Sequence, residues 1–241
     1  MLICDPLRAQ ENRQLTVAAA ANLTTAFAEV AKAFQAKSGI AIVYSFGATA
    51  NLAMQAEHSA PFDVFAAADV EHIEDLDRKH LLVPDSAAVY ARGKLVLWVP
   101  PHSMPAISKI DDLAKPGIVH VAIANPSLAP YGAAAVESLR KLGLWEKVEP
   151  KVVYSPSISA AKQYAETGNT EAAFIAYSLV FNAGGRIIRV PEELHAPIDQ
   201  SIAILRSSSH QADARKFVDF VLGDEGRDIL MRYGYDLPKK R

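Results

Sequence analysis

Residues 17–34 read VAAAANLTTAFAEVAKAF, two structural patterns joined without a linker. The apolar run Leu15–Ala21 suits a buried strand. Phe27, Val30, Ala31 and Phe34 then recur at i, i+3, i+4 and i+7, the stripe of an amphipathic helix. The junction is Asn22-Leu23-Thr24-Thr25, and Asn is a favoured N-cap. At such a junction the first helical N–H groups have no acceptor inside the helix. A strand running straight into a helix through one polar residue is the unit of an α/β fold, and it points unsatisfied donors at one place.

The same unit recurs along the chain. AAAANLTT, YSFGATAN, IANPSLAPYGAA and YSPSISAA each combine an apolar strand, a short polar or glycine-bearing turn, and a helix start. Further strands are expected at DVFAAAD, GKLVLWVPP, Ala172–Ala176, 185–190 and QSIAIL, with helices after Asp69, over 133–142, from SPSIS to Gly168, and in the last thirty or so residues. Alternation of this kind predicts mainly parallel sheets flanked by helices. Such folds bind ligands beyond the carboxyl ends of strands, where helices begin. KLVLWV and QSIAIL lie far apart in the chain and are candidates for two crossovers between lobes. The donors at the four turns are candidates for holding a small anion without Lys or Arg, each helix N-terminus carrying about half a positive charge. The competing reading of each Asn, Thr or Ser is a helix cap and nothing more.

The 241 residues are half apolar, 22% charged and carry a net charge of −2, which offers no basic footprint for nucleic acid. No apolar run is long enough to span a bilayer. Cys4 is the only cysteine, so no internal disulfide and no cysteine-rich metal site is possible. The acidic cluster Glu71, Glu74, Asp75 and Asp77 lacks the spacing of a calcium loop and reads as a solvated helix face. Seven histidines are scattered without metal-ligand spacing. Nucleotide-binding, serine-hydrolase and zinc-protease motifs are all missing, and no nucleophile has a base near it in sequence.

Five segments, AAANLTTAFAEVAKAFQAKSGIAIVYSFGATANLAMQ, APFDVFAAAD, GKLVLW, IANPSLAPYGAAA and YAETGNTEAAFIAYS, resemble the periplasmic molybdate-binding proteins of ABC transporters, in the family's order and over about Leu15–Leu237. The resemblance implies a two-lobed type II periplasmic binding protein fold, each lobe a mainly parallel sheet flanked by helices, with the ligand in the cleft. It implies residues 15–95 plus 203–241 as one discontinuous lobe and 96–202 as the other, with 1–14 disordered or a signal remnant. The ligand shell that it implies is made of neutral donors: Asn22, Thr49, the backbone N–H of Tyr131, the backbone N–H of Ile158, and the hydroxyl of Tyr177. Ala21 stands where one branch of the family has Thr, and NPSLAPYG follows the branch that does not use the tyrosine hydroxyl. No cofactor or direct metal ligand is implied; the metal comes as an oxyanion, molybdate or tungstate, held through its oxygens. The partner would be a membrane permease of an ABC transporter, and the protein a periplasmic monomer that closes on its ligand. Alternatives are a binding protein for another tetrahedral oxyanion such as sulfate, an enzyme on the same scaffold, and the sensing domain of a transcription regulator. The last lacks a DNA-binding segment, since the residues ahead of the first strand are too few.

Overall fold

A computed structural model describes residues 13–104 and 106–238. Cys4 and the expected signal remnant at 1–12 lie outside the described residues. Gln14, expected to fall outside the fold, is the first residue of strand β1 (Gln14–Ala20), and Arg13 pairs with Asp213. A single 3-10 turn, Ala21–Leu23, leads into α1 (Thr24–Ser38). The predicted stripe is buried as Phe27, Val30 and Phe34, joined by Ala26, while Ala31 stays partly exposed. Gly39 ends the helix at φ 72°, and its N–H donates to the Gln35 carbonyl, a left-handed cap that suits glycine.

The chain continues through β2 (Ala41–Gly47), α2 (Thr49–Glu57), β3 (Val64–Ala66), α3 (Glu71–Arg78) and β4 (Ala88–Gly93). It then makes β5 (Leu95–Val99), β6 (Val121–Ala124), α4 (Pro130–Lys141), α5 (Trp145–Val148), β7 (Val152–Ser155), α6 (Ile158–Glu166), β8 (Ala172–Ala176) and β9 (Arg186–Arg189). Strand β10 (Ile198–Ile204) and helices α7 (Gln211–Leu222) and α8 (Asp224–Arg232) finish it.

The strands form two five-stranded sheets, ordered β2-β1-β3-β10-β4 and β7-β6-β8-β5-β9. In each sheet three strands are parallel, and one strand, β10 or β5, runs antiparallel to both of its neighbours. The parallel strands β6 and β8 are buried on both faces, as strands covered by helices on both sides must be. Around α1, Phe27, Phe34, Phe217 and Phe220 pack edge to face at centroid distances of 5.3–6.4 Å and tie α7 to the first sheet. This is a two-lobed α/β architecture of the type II periplasmic binding protein kind.

KLVLWV and QSIAIL are not themselves the spans between sheets. Each is the antiparallel strand laid down just after the chain changes sheet, β5 in the second and β10 in the first. The passages are Lys94, alone between β4 and β5, and residues 190–197 between β9 and β10. Apolar composition reports burial, which is equal on either side of a passage, so it did not locate the passage itself. As a consequence Leu95 lies in the second sheet, and β10 belongs to the first sheet from Ile198, not from 203.

Candidate functional site

The register of the parallel strands decides what meets at the cleft. The last pair of β1 and β2 is Ala20 with Gly47, so Asn22 and Thr49 each sit two residues past the carboxyl end of adjacent strands. The last pair of β6 and β7 is Ala124 with Ser155; Ile158 opens α6 and Tyr131 lies in the first turn of α4. Helix α6 packs against the 3-10 turn that carries Asn22. The Ala50 N–H donates to the Leu128 carbonyl at 3.2 Å, bringing the first turn of α2 against the loop before α4. Four of the five predicted residues therefore stand at one junction between the sheets.

Local chemistry explains how each start is shaped. Asn125 accepts from the N–H groups of Leu128 and Ala129 and turns the chain after β6, and Pro130 opens α4 where its missing N–H costs nothing. Gly132 is required by closeness: a Cβ there would lie 2.0 Å from the Ala124 carbonyl oxygen. Ser157 is a true cap, its Oγ accepting from the Ala160 N–H at 3.2 Å. First-turn N–H groups, including those of Tyr131 and Ile158, have no acceptor within their own helices.

Asn22 is not a cap. Neither the 3-10 turn nor α1 has a side-chain cap hydrogen bond. The Asn22 amide is buried and donates through Nδ2 to Gln200 Oε1 and to the Tyr235 hydroxyl, both at 2.9 Å. Its Oδ1 is buried and accepts from none of the described residues. Its backbone carbonyl accepts from Ser178 Oγ at 3.0 Å and from the Tyr235 hydroxyl at 2.8 Å. Gln200, on β10, donates through Nε2 to the Tyr131 hydroxyl at 2.9 Å. The Tyr90 hydroxyl lies 3.0 Å from Gln200 Oε1 and 3.2 Å from the Ala67 carbonyl, with its one proton between these two acceptors. Gly93 makes room for this cluster, since a Cβ would stand 1.9 Å from the Tyr131 hydroxyl and 2.6 Å from Gln200 Nε2. Thr49 is not a cap either; its Oγ1 accepts from the Ala68 N–H at 3.2 Å.

The junction is uncharged. Burial pushes the hydroxyls of Tyr90, Tyr131 and Tyr235 above the ordinary tyrosine range, so all three stay protonated donors and acceptors. Charge begins at the rim, where a cavity of about 420 Å³ is lined by Asp69, Glu71, His72, Leu128, Pro130 and Glu137. There His72 Nδ1 lies 2.7 Å from Asp69 Oδ2. That hydrogen bond raises the His72 pKa, opposed by burial and helped by the charges of Asp69, Glu71 and Asp75. Among the described residues, no group of three or more His, Cys, Asp or Glu is placed to hold a metal ion.

Tyr177 stands apart. Its ring packs on Gly234, where a Cβ would come within 2.4 Å of Cδ1, and lies 6.0 Å from the Arg189 guanidinium. It lines a separate cavity of about 210 Å³ with Lys94, Arg189, Glu192 and His195. The tyrosine hydroxyls that enter the junction belong to Tyr90, Tyr131 and Tyr235. Sequence reasoning missed Gln200, Tyr235 and Ser178. Gln200 carried a signal, a polar side chain inside an apolar strand where burial demands partners. Tyr235, near the end of the chain, carried none.

Residues 15–236 match the family described as bacterial extracellular solute-binding protein. The molybdate-binding protein ModA of Rhodobacter capsulatus is 39% identical over 226 residues, covering 92% of this chain and 88% of that protein. The solved periplasmic molybdate-binding protein of Azotobacter vinelandii superposes with a TM-score of 0.88 at 32% identity, over 93% of this chain and all of that one. The sulfate-binding protein SubI of Mycobacterium tuberculosis shares the fold at 17% identity, with a TM-score of 0.81 over 94% of this chain and 88% of that one.

Proposed function

Because this chain belongs to the bacterial extracellular solute-binding proteins, and within them to the molybdate-binding group, we propose that it captures molybdate, and tungstate alike, in the interlobe cleft and delivers it to the membrane permease of an ABC importer. It would act in the periplasm, as a monomer. The observation that carries this reading is the meeting of four strand-to-helix turns, two from each sheet, at a junction that bears no charge of either sign. Oriented N–H and O–H dipoles can hold a dianion there without a counter-charge. The donors would be the amide of Asn22, the hydroxyl and N–H of Thr49, and the N–H groups of Tyr131 and Ile158. This reading leaves Tyr177 out of the shell, since its ring packs on Gly234 and lies near Arg189.

The same donor set favours one ligand class. Molybdate and tungstate are fully deprotonated near neutral pH, so every oxygen can accept. Hydrogen phosphate brings a proton whose acceptor in the shell is Asn22 Oδ1, so holding it keeps the Asn22 amide hydrogens off the anion and forfeits a bond to a charged partner of about 1.5–3 kcal/mol. Sulfate has the right charge and is smaller, so donors aimed at longer metal–oxygen bonds reach it poorly. The relatives are binding proteins, not enzymes, and the shell supplies no acid–base pair.

Melting curves with and without millimolar oxyanion test the reading. A ligand at about a thousandfold excess over Kd stabilises the folded state by about 4 kcal/mol. Molybdate and tungstate should raise Tm by roughly 10 °C for a chain of this size. Sulfate should do much less and phosphate nothing. No shift with molybdate, or an equal shift with sulfate, would overturn the assignment.

A further inference from the structure

Asn22 has its amide turned the wrong way for an anion. Both hydrogens of Nδ2 are spent on Gln200 Oε1 and Tyr235, and the atom with no partner is the acceptor, Oδ1. An anion has nothing to give a carbonyl oxygen. Two amides in a chain, however, have two settings, and the groups around this pair permit the other one. Rotate Gln200 and its Nε2 donates to Asn22 Oδ1 and to the Tyr90 hydroxyl, which keeps its own proton on the Ala67 carbonyl. The Tyr131 hydroxyl, now an acceptor from Gln200 Nε2, becomes a donor to Gln200 Oε1. The Tyr235 hydroxyl swings from the Asn22 carbonyl to Asn22 Oδ1, and Ser178 Oγ still serves that carbonyl. Every member stays bonded, and the Asn22 amide hydrogens are released on the edge where Oδ1 stood.

We propose that Gln200 is a positioning residue for the oxyanion, and that Asn22 and Gln200 rotate together between a ligand-free setting with Oδ1 outward and a ligand-bound setting with Nδ2 outward. Without an anion, the second setting would strand two donors in place of one acceptor, so the first is preferred. An ion with acceptors only supplies what the second setting lacks. The pair therefore reads the ligand's proton: an ion with acceptors only requires the second setting, whereas a ligand that presents a proton at this point would meet Oδ1 in the first, and arrival of the anion becomes visible at Tyr131 and Tyr90. Because Gln200 lies on β10 of the first sheet and Tyr131 on α4 of the second, the rotation also changes the bond that joins the lobes.

This rests on the oxyanion reading, and the test separates the two. Neutron diffraction from wild-type crystals grown without ligand and with molybdate locates the deuterons on both amides. The expected result is Nδ2 of Asn22 facing Gln200 in the free crystal and facing the oxyanion in the bound one, with Gln200 Nε2 turned toward Asn22. Gln200 in one setting in both crystals overturns the proposal while leaving molybdate binding intact. Calorimetry gives the second readout. Gln200→Met keeps the volume and removes both settings, and it should weaken molybdate binding about tenfold, since a bond to a charged acceptor is no longer oriented. Unchanged affinity in the variant overturns the proposal, and a wild type that binds no oxyanion overturns both readings together.

Discussion

The backbone N–H of Ala50 donates to the carbonyl of Leu128 at 3.2 Å, so the first turn of α2 touches the loop before α4 and the two sheets meet beside the proposed site. Among the described residues, the polar contacts that part for the cleft to open there include Ala50 with Leu128, Ser178 with Asn22, and Gln200 with Tyr131. The chain passes between sheets at Lys94 and at 190–197, and these are the places able to absorb a rotation. Small-angle scattering should therefore give a smaller radius of gyration with saturating molybdate than without. Identical curves would mean a cleft that stays fixed.

Asn22 and Thr49 stabilise the fold through tertiary bonds, not as caps, and their variants should differ accordingly. Asn22→Ala removes one of the two donors to Gln200 Oε1 and the donor to the Tyr235 hydroxyl, and should cost about 1–3 kcal/mol of stability. It should also weaken molybdate binding about tenfold to a hundredfold, by loss of a bond to a charged partner. Thr49→Ser keeps the acceptor for the Ala68 N–H and should behave as wild type; Thr49→Val should lose both affinity and stability. Denaturant melts beside calorimetry separate the two effects. Full affinity in Asn22→Ala would remove its side chain from the shell.

Tyr177→Phe should leave molybdate affinity unchanged within about twofold, because no ligand hydrogen bond is lost. The ring packing on Gly234 is kept in phenylalanine. A loss of tenfold or more in a titration would return the hydroxyl to the shell.

His72 links stability to pH. Its hydrogen bond to Asp69 favours the protonated ring in the folded state. The stabilisation is in full force below the ordinary histidine value of about 6.5 and is lost as pH rises through the higher folded value. The ion pair is partly exposed, so the effect is at most about 1 kcal/mol. Urea melts at about pH 5.5 and about pH 8.5, either side of the ordinary value, should show His72→Gln losing stability relative to wild type at the lower pH and matching it at the higher. Equal losses at both would assign the effect to packing. Molybdate affinity should stay nearly flat between about pH 6 and about pH 8, since nothing in the shell titrates there.

By itself the sequence determined the alternation of strand and helix, the strand-to-helix turns, and hence which residues stand just past the ends of β1, β2, β6 and β7. These are local properties, written in periodicities of two and 3.6 residues and in short turns. The turns that carry Asn22, Thr49, Tyr131 and Ile158 were legible for that reason; the resemblance singled out the residues within them. Only the tertiary structure decided what the Asn22 amide does, because its partners Gln200 and Tyr235 lie 178 and 213 residues away and no local rule ranks them against a helix cap. It also decided that Tyr177, although it follows a buried strand as predicted, turns its ring toward Gly234 and Arg189. The place where the chain changes sheet is of the same kind. β4 and β5 are separated by Lys94 alone, and which sheet each joins depends on hydrogen-bond partners distant in sequence, Gln200 for Ala91 and Ile175 for Val96. A strand's composition states that it is buried; its partners state where.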